Sequence, residues 1–294
     1  MNEGLLVWGR MPSWRTLLIL GRTSNLPTVW SNCLAGWWLG GAGAPRNLLF
    51  LLPGATLLYI GGMYLNDAFD AGFDAQFRRE RPIPSGAMPT WVVWVLGFVL
   101  LVGGVACLAP LGKITLTLAI ILAVCILLYN AIHKLITASP LLMAACRFLL
   151  YQVAASTAME GVNGDAVWCG FALAGYVAGL SYLAQKETTR SEPPFWPCVL
   201  LAAPIAMAFL VNGSSEFLKP ALLICVVLAL WAARSLRYAY SPTERNVGRA
   251  VGGLLAGIVW VDLVAIAFCP HWFAGIFILL FLAALLLQQI VPAT

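Results

Sequence analysis

Long apolar runs, separated by short polar or glycine- and proline-containing breaks, make up most of this chain. A helix needs about 20 predominantly apolar residues to cross a bilayer core of ~30 Å. Ten runs meet or approach that length: 16–41, 48–68, 90–109, 113–134, 140–160, 166–186, 196–212, 218–236, 248–268 and 271–290. The run at 196–212 is short and interrupted by Pro204, and the last two are split only by Cys269-Pro270-His271, so nine spans is the alternative count. The pattern predicts an all-α polytopic membrane protein, with residues 1–294 forming a single integral-membrane domain. Residues 1–15 read as a lead-in with Trp8 and Trp14 at the membrane interface, and no small-residue cleavage site marks them as a removable signal peptide.

Composition agrees with this picture. Of 294 residues, 61% are hydrophobic and 10% charged, against about 25% charged in soluble domains. The net charge of +5 needs no nucleic-acid partner, because cytoplasmic loops of membrane proteins collect Lys and Arg. In the ten-span arrangement one side receives thirteen cations: Arg10, Arg15, Arg22, Arg78, Arg79, Arg81, Lys134, Lys186, Arg190, Arg234, Arg237, Arg245 and Arg249. The other receives Arg46, Lys113 and Lys219. This bias places both termini in the cytoplasm, with the lipid bilayer of a bacterial inner membrane as the setting. The polar loops 69–89, 187–195 and 237–247 then share that side, and the four-span offset between the first two suggests two similar halves meeting at one cytoplasmic mouth. Eight cysteines lie mostly within apolar runs, without a Cys-x-x-Cys pair, so neither a zinc site nor a disulfide framework is indicated.

The chemistry concentrates between Tyr64 and Gly86, where Asp67, Asp70 and Asp74 precede Arg78, Arg79 and Arg81. If the first part is helical, Asn66, Asp70 and Asp74 recur every four residues and Asp67 stands three before Asp70, so all four share one face. Such an anionic face suits Mg²⁺, which bridges a few carboxylates to substrate phosphates. The bland alternative is a solvated juxtamembrane loop. Arg147 falls inside the fifth run, where an arginine is costly enough to be a functional candidate, either as a diphosphate ligand or as a structural partner to a helix carbonyl or carboxylate. Asp262, alone in the ninth run, reads as a polar contact between helices. Asn25 and Asn32 lie on the first run after Arg22, at a spacing that also suits helix packing. His133 and His271 are too far apart in sequence to suggest a metal cluster.

Asn66-Asp67-x-x-Asp70-x-x-x-Asp74, followed by Arg81-Pro82-Ile83-Pro84-Ser85-Gly86, resembles the first signature of the UbiA superfamily of intramembrane prenyltransferases. The resemblance implies a bundle of nine to ten helices around a central cavity opening to the cytoplasmic side. It implies Mg²⁺ on Asn66, Asp67, Asp70 and Asp74, an isoprenyl diphosphate donor, and a hydrophobic or aromatic acceptor that captures the allylic cation. Arg81, Lys134 and Lys186 are the expected phosphate partners. Two departures from the family pattern stand out. The expected Tyr-x-x-x-Lys is Tyr129-Asn-Ala-Ile-His133-Lys134, with histidine at the lysine place; on a helix that one-residue shift swings a side chain by about 100°. The second aspartate motif is reduced to Gln185-Lys186-Glu187, where Glu187 is the lone carboxylate to complete the site and Lys186 and Arg190 are the nearby cations. Two variants follow from this thin second motif: a UbiA-type terpene cyclase, or an isoprenoid or lipid binding or transport protein without turnover.

Overall fold

The computed structural model describes residues 13–185, 193–211, 215–241 and 245–292. Those residues form helices and connections without strands. The helices are α1 (Trp14–Leu20), α2 (Leu26–Leu39), α3 (Leu48–Phe77), α4 (Thr90–Leu108), α5 (Lys113–Ile132), α6 (Ser139–Ala155), α7 (Gly164–Ala184), α8 (Pro197–Leu201), α9 (Ala203–Val211), α10 (Ser215–Tyr240), α11 (Val247–Ala265) and α12 (His271–Ile290). Local sequence marks several starts: Ser13, Asn163 and Asn246 each accept a backbone N–H three residues on through the side chain, and proline occupies the first turn of α2, α6 and α8, where its missing N–H costs nothing.

Each apolar run has helix within it, with two informative differences. The run at 16–41 is broken: α1 stops at Gly21, and Arg22 adopts a left-handed conformation with φ 42° before a short 3-10 turn leads into α2. The run that ends near 68 continues as helix to Phe77, so the first part of the expected 69–89 loop is the end of α3. Pro204 does interrupt the 196–212 run, which is the short pair α8 and α9, and the turn after Ala265 separates α11 from α12. Among the described residues, seven helices are long and apolar enough to cross a membrane, and Ser139–Ala155 and Pro197–Leu210 are shorter apolar helices.

Packing follows the membrane rule that small residues let helices approach closely. A Cβ on Gly61 would lie 2.9 Å from the Gly97 carbonyl oxygen and the Leu101 nitrogen, and one on Gly97 would lie 2.7 Å from Leu65 Cγ. Hence α3 and α4 are in near-backbone contact, which fixes the axis of the helix carrying the acidic motif. On α4, Val93, Gly97 and Leu101 face inward while Val95, Val99 and Val102 are exposed, the division expected of a helix with one lipid-facing side. At the bundle end that carries Arg22, Ser24 Oγ donates to the Pro292 carbonyl at 3.4 Å, so the last described turn of the chain packs beside the first broken span.

Candidate active site

The extension of α3 to Phe77 carries the acidic residues on one inward face. Asn66 and Asp67 are each 5% exposed, Asp70 7% and Asp74 1%. Three and four residues of helix separate the aspartates by about 4.5 and 6 Å along the axis. Buried carboxylates are costly unless paired, and the pairing is basic throughout. Arg22 Nη2 donates to Asn66 Oδ1 at 3.1 Å and to Asp67 Oδ1 at 3.2 Å. Arg81 Nη1 bridges Asp67 Oδ1 at 3.1 Å and Asp74 Oδ2 at 3.2 Å.

Arg81 reaches back because the Arg81–Met88 segment is a compact turn. The Ser85 N–H bonds the Arg81 carbonyl at 3.0 Å, the Met88 N–H bonds the Pro82 carbonyl at 3.1 Å, and Gly86 at φ 75° makes the reversal. Across the mouth, Asp70 Oδ1 meets both Lys134 Nζ at 2.7 Å and His133 Nε2 at 3.3 Å. The expected choice between His133 and Lys134 does not arise, because α5 ends at Ile132: past the helix end the 100° rule no longer governs, and both side chains turn to the same oxygen. Tyr129 stacks on the His133 ring with centroids 5.1 Å apart, and Lys134 Nζ also lies 3.8 Å from the Phe73 ring centroid.

Asn130 and Arg22 are site residues that sequence reasoning left without a role. Asn66 Nδ2 donates to Asn130 Oδ1 at 3.2 Å, and Asn130 Nδ2 to the Gly62 carbonyl at 3.0 Å, so Asn130 fixes the orientation of the first motif residue. An amide adjoining Tyr129 near the end of an apolar run was the available signal. For Arg22 it was a cation seven residues into a run, next to a glycine.

Beside this mouth lies a cavity of about 590 Å³ of empty space, counting its opening. Its wall is mainly apolar, with Tyr59, Tyr129, Asn130 and Arg147 as the polar contributors. Arg147 has no contact with the aspartates. Its Nη1 donates to Asn32 Oδ1 at 2.6 Å and the Thr28 carbonyl at 3.3 Å, and its Nη2 to Thr28 Oγ1 at 3.1 Å. Asn32 passes the connection on, donating through Nδ2 to both oxygens of Asp262 at 3.0 and 2.7 Å. Asp262 is fully buried and also accepts from Ser31 Oγ and from Tyr151 OH at 3.0 Å, so it joins α2, α6 and α11 as an interhelical contact.

The donor set on α3 is all oxygen, and Asp74 Oδ1 is buried without a hydrogen-bond partner. Among the described residues, no three carboxylate, imidazole or thiol groups converge to hold an ion by themselves. The set therefore fits Mg²⁺ in its substrate-bridging mode, in which one or two protein carboxylates are supplemented by phosphate oxygens and water. Asp74 keeps one oxygen, Oδ1, without a partner, whereas Asp67 Oδ1 is shared by Arg22 and Arg81 and Asp70 Oδ1 by Lys134 and His133. Lys186, Glu187 and Arg190 lie outside the described residues. Gln185, just before them, donates to Ser139 Oγ at 3.3 Å at the start of α6.

Fold and site together define an all-helical polytopic membrane protein with an acidic and basic mouth beside an apolar cavity. Residues 24–251 match the model of the UbiA prenyltransferase family, and the chain belongs to that family. Among curated relatives it is 34% identical over 96 residues to a 4-hydroxybenzoate octaprenyltransferase of Pectobacterium atrosepticum and 31% identical over 132 residues to one of Cupriavidus pinatubonensis. Those matches take in 32% and 42% of this chain, and 32% and 43% of the relatives' own lengths, well under half in each case. Among solved structures, a UbiA homologue from Archaeoglobus fulgidus bound to GPP and Mg²⁺ superimposes with a TM-score of 0.64 at 12% identity, covering 93% of this chain and 99% of that one. A UbiA homologue from Aeropyrum pernix gives 0.63 at 19% identity over 81% and 96%. At these identities the likeness establishes the fold.

Proposed function

We propose that this protein is a Mg²⁺-dependent intramembrane prenyltransferase, acting as one domain, that moves an isoprenyl group from its diphosphate to an aromatic or other lipophilic acceptor. The observation that carries the reading is the cluster of three buried aspartates on one face of α3, each tied to a cation, beside a largely apolar cavity. Family membership supports it, as do the printed activity of the curated relatives and the GPP and Mg²⁺ bound by the Archaeoglobus homologue.

Arg22, Arg81, His133 and Lys134 supply charge-assisted donors for diphosphate oxygens, so the leaving group departs with its electron pair into a site already matched to its charge. Mg²⁺, held by Asp70 and Asp74 with Asn66 alongside, would neutralise part of that charge when bound. Asp67 keeps Arg22 and Arg81 oriented, and Asn130 does the same for Asn66. The apolar cavity wall keeps water from the allylic cation, and the acceptor forms the new bond with its own electron pair and releases a proton. Glu187 and Lys186 are proposed as the second-half contribution to the same mouth. The excess of cations on one side supports a cytoplasmic opening with both chain ends on that side.

The test is incubation of the purified chain in proteoliposomes with Mg²⁺ and isoprenyl diphosphates of graded length, with and without phenolic acceptors, followed by mass spectrometry. The proposal expects diphosphate release coupled to an acceptor heavier by the isoprenyl group. A cyclised hydrocarbon would mark a terpene cyclase, and binding without diphosphate release would mark a carrier; either would replace the transferase reading.

A further inference from the structure

At the mouth, Arg22, Arg81, His133 and Lys134 each meet an aspartate. A second group of arginines, on α10 and α11, does not. α10 has two distinct faces: Ala221, Cys225, Leu228, Ser235 and Ala239 are buried, while Leu223, Val226, Val227 and Leu230 are exposed. Those four exposed positions fall within one helical arc of about 100°, and Arg234 and Arg237 fall within the same arc. Both arginines are exposed. The lipid-facing stripe of α10 therefore ends in two guanidiniums, about 6 and 10 Å beyond Leu230 along the axis. A third comes from the first turn of α11. The Asn246 N–H bonds the Tyr238 carbonyl at 2.8 Å, holding the start of α11 against the end of α10, and the Arg249 guanidinium lies 4.2 Å from the Tyr238 ring centroid. Arg234 likewise lies 5.3 Å from the Trp231 ring centroid. Gln288 Nε2 donates to the Gly252 carbonyl at 3.1 Å and Ser24 Oγ to that of Pro292, so the start of α11 lies at the bundle end that carries Arg22.

A cation that only orients a membrane protein serves equally well anywhere in a cytoplasmic loop. Arg234 and Arg237 stand instead within the helix, in line with an apolar strip, where an acyl chain lying against Leu223, Val226, Val227 and Leu230 brings its own headgroup to them. Among the described residues, none of Arg234, Arg237 and Arg249 forms an ion pair. A guanidinium stacked on an aromatic ring keeps its planar N–H edge for phosphate oxygens. We propose that this end of α10, with Arg249, is a binding site for an anionic phospholipid, its phosphodiester on the three guanidiniums and an acyl chain along the exposed stripe. Charge selects an anion: three cations repel the ammonium of a zwitterionic headgroup. The site is separate from the donor mouth, because α10 packs chiefly on α11. A bound lipid bridges those two helices, and α11 carries Asp262, so the lipid fastens the pair that holds the interhelical contact.

The experiment titrates the full chain, in a neutral detergent, with phosphatidylglycerol and with phosphatidylcholine of the same acyl chains, and counts bound lipid by native mass spectrometry. Each arginine near the surface is worth roughly fivefold in affinity for an anionic lipid. Wild type is therefore expected to bind phosphatidylglycerol at least about tenfold more tightly than phosphatidylcholine, and Arg234→Gln with Arg237→Gln to bring the two within about twofold. Arg15→Gln with Arg79→Gln removes the same charge from exposed positions outside α10 and α11, and is expected to keep the preference. An unchanged preference in the α10 variant, or an equal loss in the control, would overturn the site, the second by reducing it to net charge. Displacement of the lipid by an equal concentration of inorganic phosphate, or by geranylgeranyl thiolodiphosphate with Mg²⁺, would make this a free-phosphate or donor site and overturn the lipid assignment. If the α10 variant does not fold, wild type alone decides, since equal affinity for the two lipids removes the site.

Discussion

Replacing Arg81 with glutamine probes how the acidic face is kept stable. Arg81 Nη1 serves two carboxylates, Asp67 at 3.1 Å and Asp74 at 3.2 Å. Asp67 retains Arg22 at 3.2 Å after the change, whereas the one ion pair seen at the Asp74 side chain among the described residues is that with Arg81; its Oδ1 is without a hydrogen-bond partner there and its side chain is 2% exposed. Removing one partner of a buried pair costs about 3–5 kcal/mol. The Arg81 side chain is 16% exposed and glutamine keeps an amide donor, so we take the low end, about 3 kcal/mol. Asp74→Asn removes the orphaned charge, and the double variant Asp74→Asn with Arg81→Gln should return to within about 1 kcal/mol of wild type, a coupling that a double-mutant cycle isolates. Unfolding of the four proteins by SDS titration in mixed micelles measures the stabilities, and titration of an isoprenyl thiolodiphosphate measures the site. Both Arg81→Gln proteins should bind the donor more weakly, whatever their stability. Arg81→Gln as stable as wild type, or a double variant no more stable than the single one, would refute the argument.

Two other predictions concern architecture. Gly61→Val drives a Cβ to 2.9 Å from backbone atoms of α4 and should destabilise the protein by about 1–3 kcal/mol; Gly103→Ala, whose nearest neighbour is 3.8 Å away, should be neutral in the same unfolding assay. Tags at the two chain ends should both be accessible from the cytoplasmic side in membrane vesicles, and labelling on opposite sides would remove one crossing from the ten-span arrangement.

The helical texture was legible because a bilayer leaves the chain few options: apolar runs of spanning length become helices, and the Asn66, Asp70, Asp74 spacing by itself puts the motif on one helix face. Less legible were the places where tertiary contact overrides periodicity. Nothing in the 16–41 pattern requires a break at Arg22; the break is seen once its guanidinium meets Asp67, far along the sequence. The convergence of His133 and Lys134 on Asp70 depended on where α5 ends, the least predictable property of a helix. Arg147 was visible as an anomaly, but its separation from the aspartates and its place in the cavity are three-dimensional facts.

The central claim is that the α3 aspartates, with Mg²⁺, receive an isoprenyl diphosphate. Asp70→Asn tests it, because it deletes one charge at nearly constant shape from the residue that faces Lys134 and His133. Calorimetric titration of geranylgeranyl thiolodiphosphate into wild type and Asp70→Asn, with Mg²⁺ and after chelation, gives four affinities. The account predicts that Mg²⁺ tightens binding to wild type at least tenfold and leaves Asp70→Asn unchanged. Equal affinities for the two proteins in the presence of Mg²⁺ would contradict it.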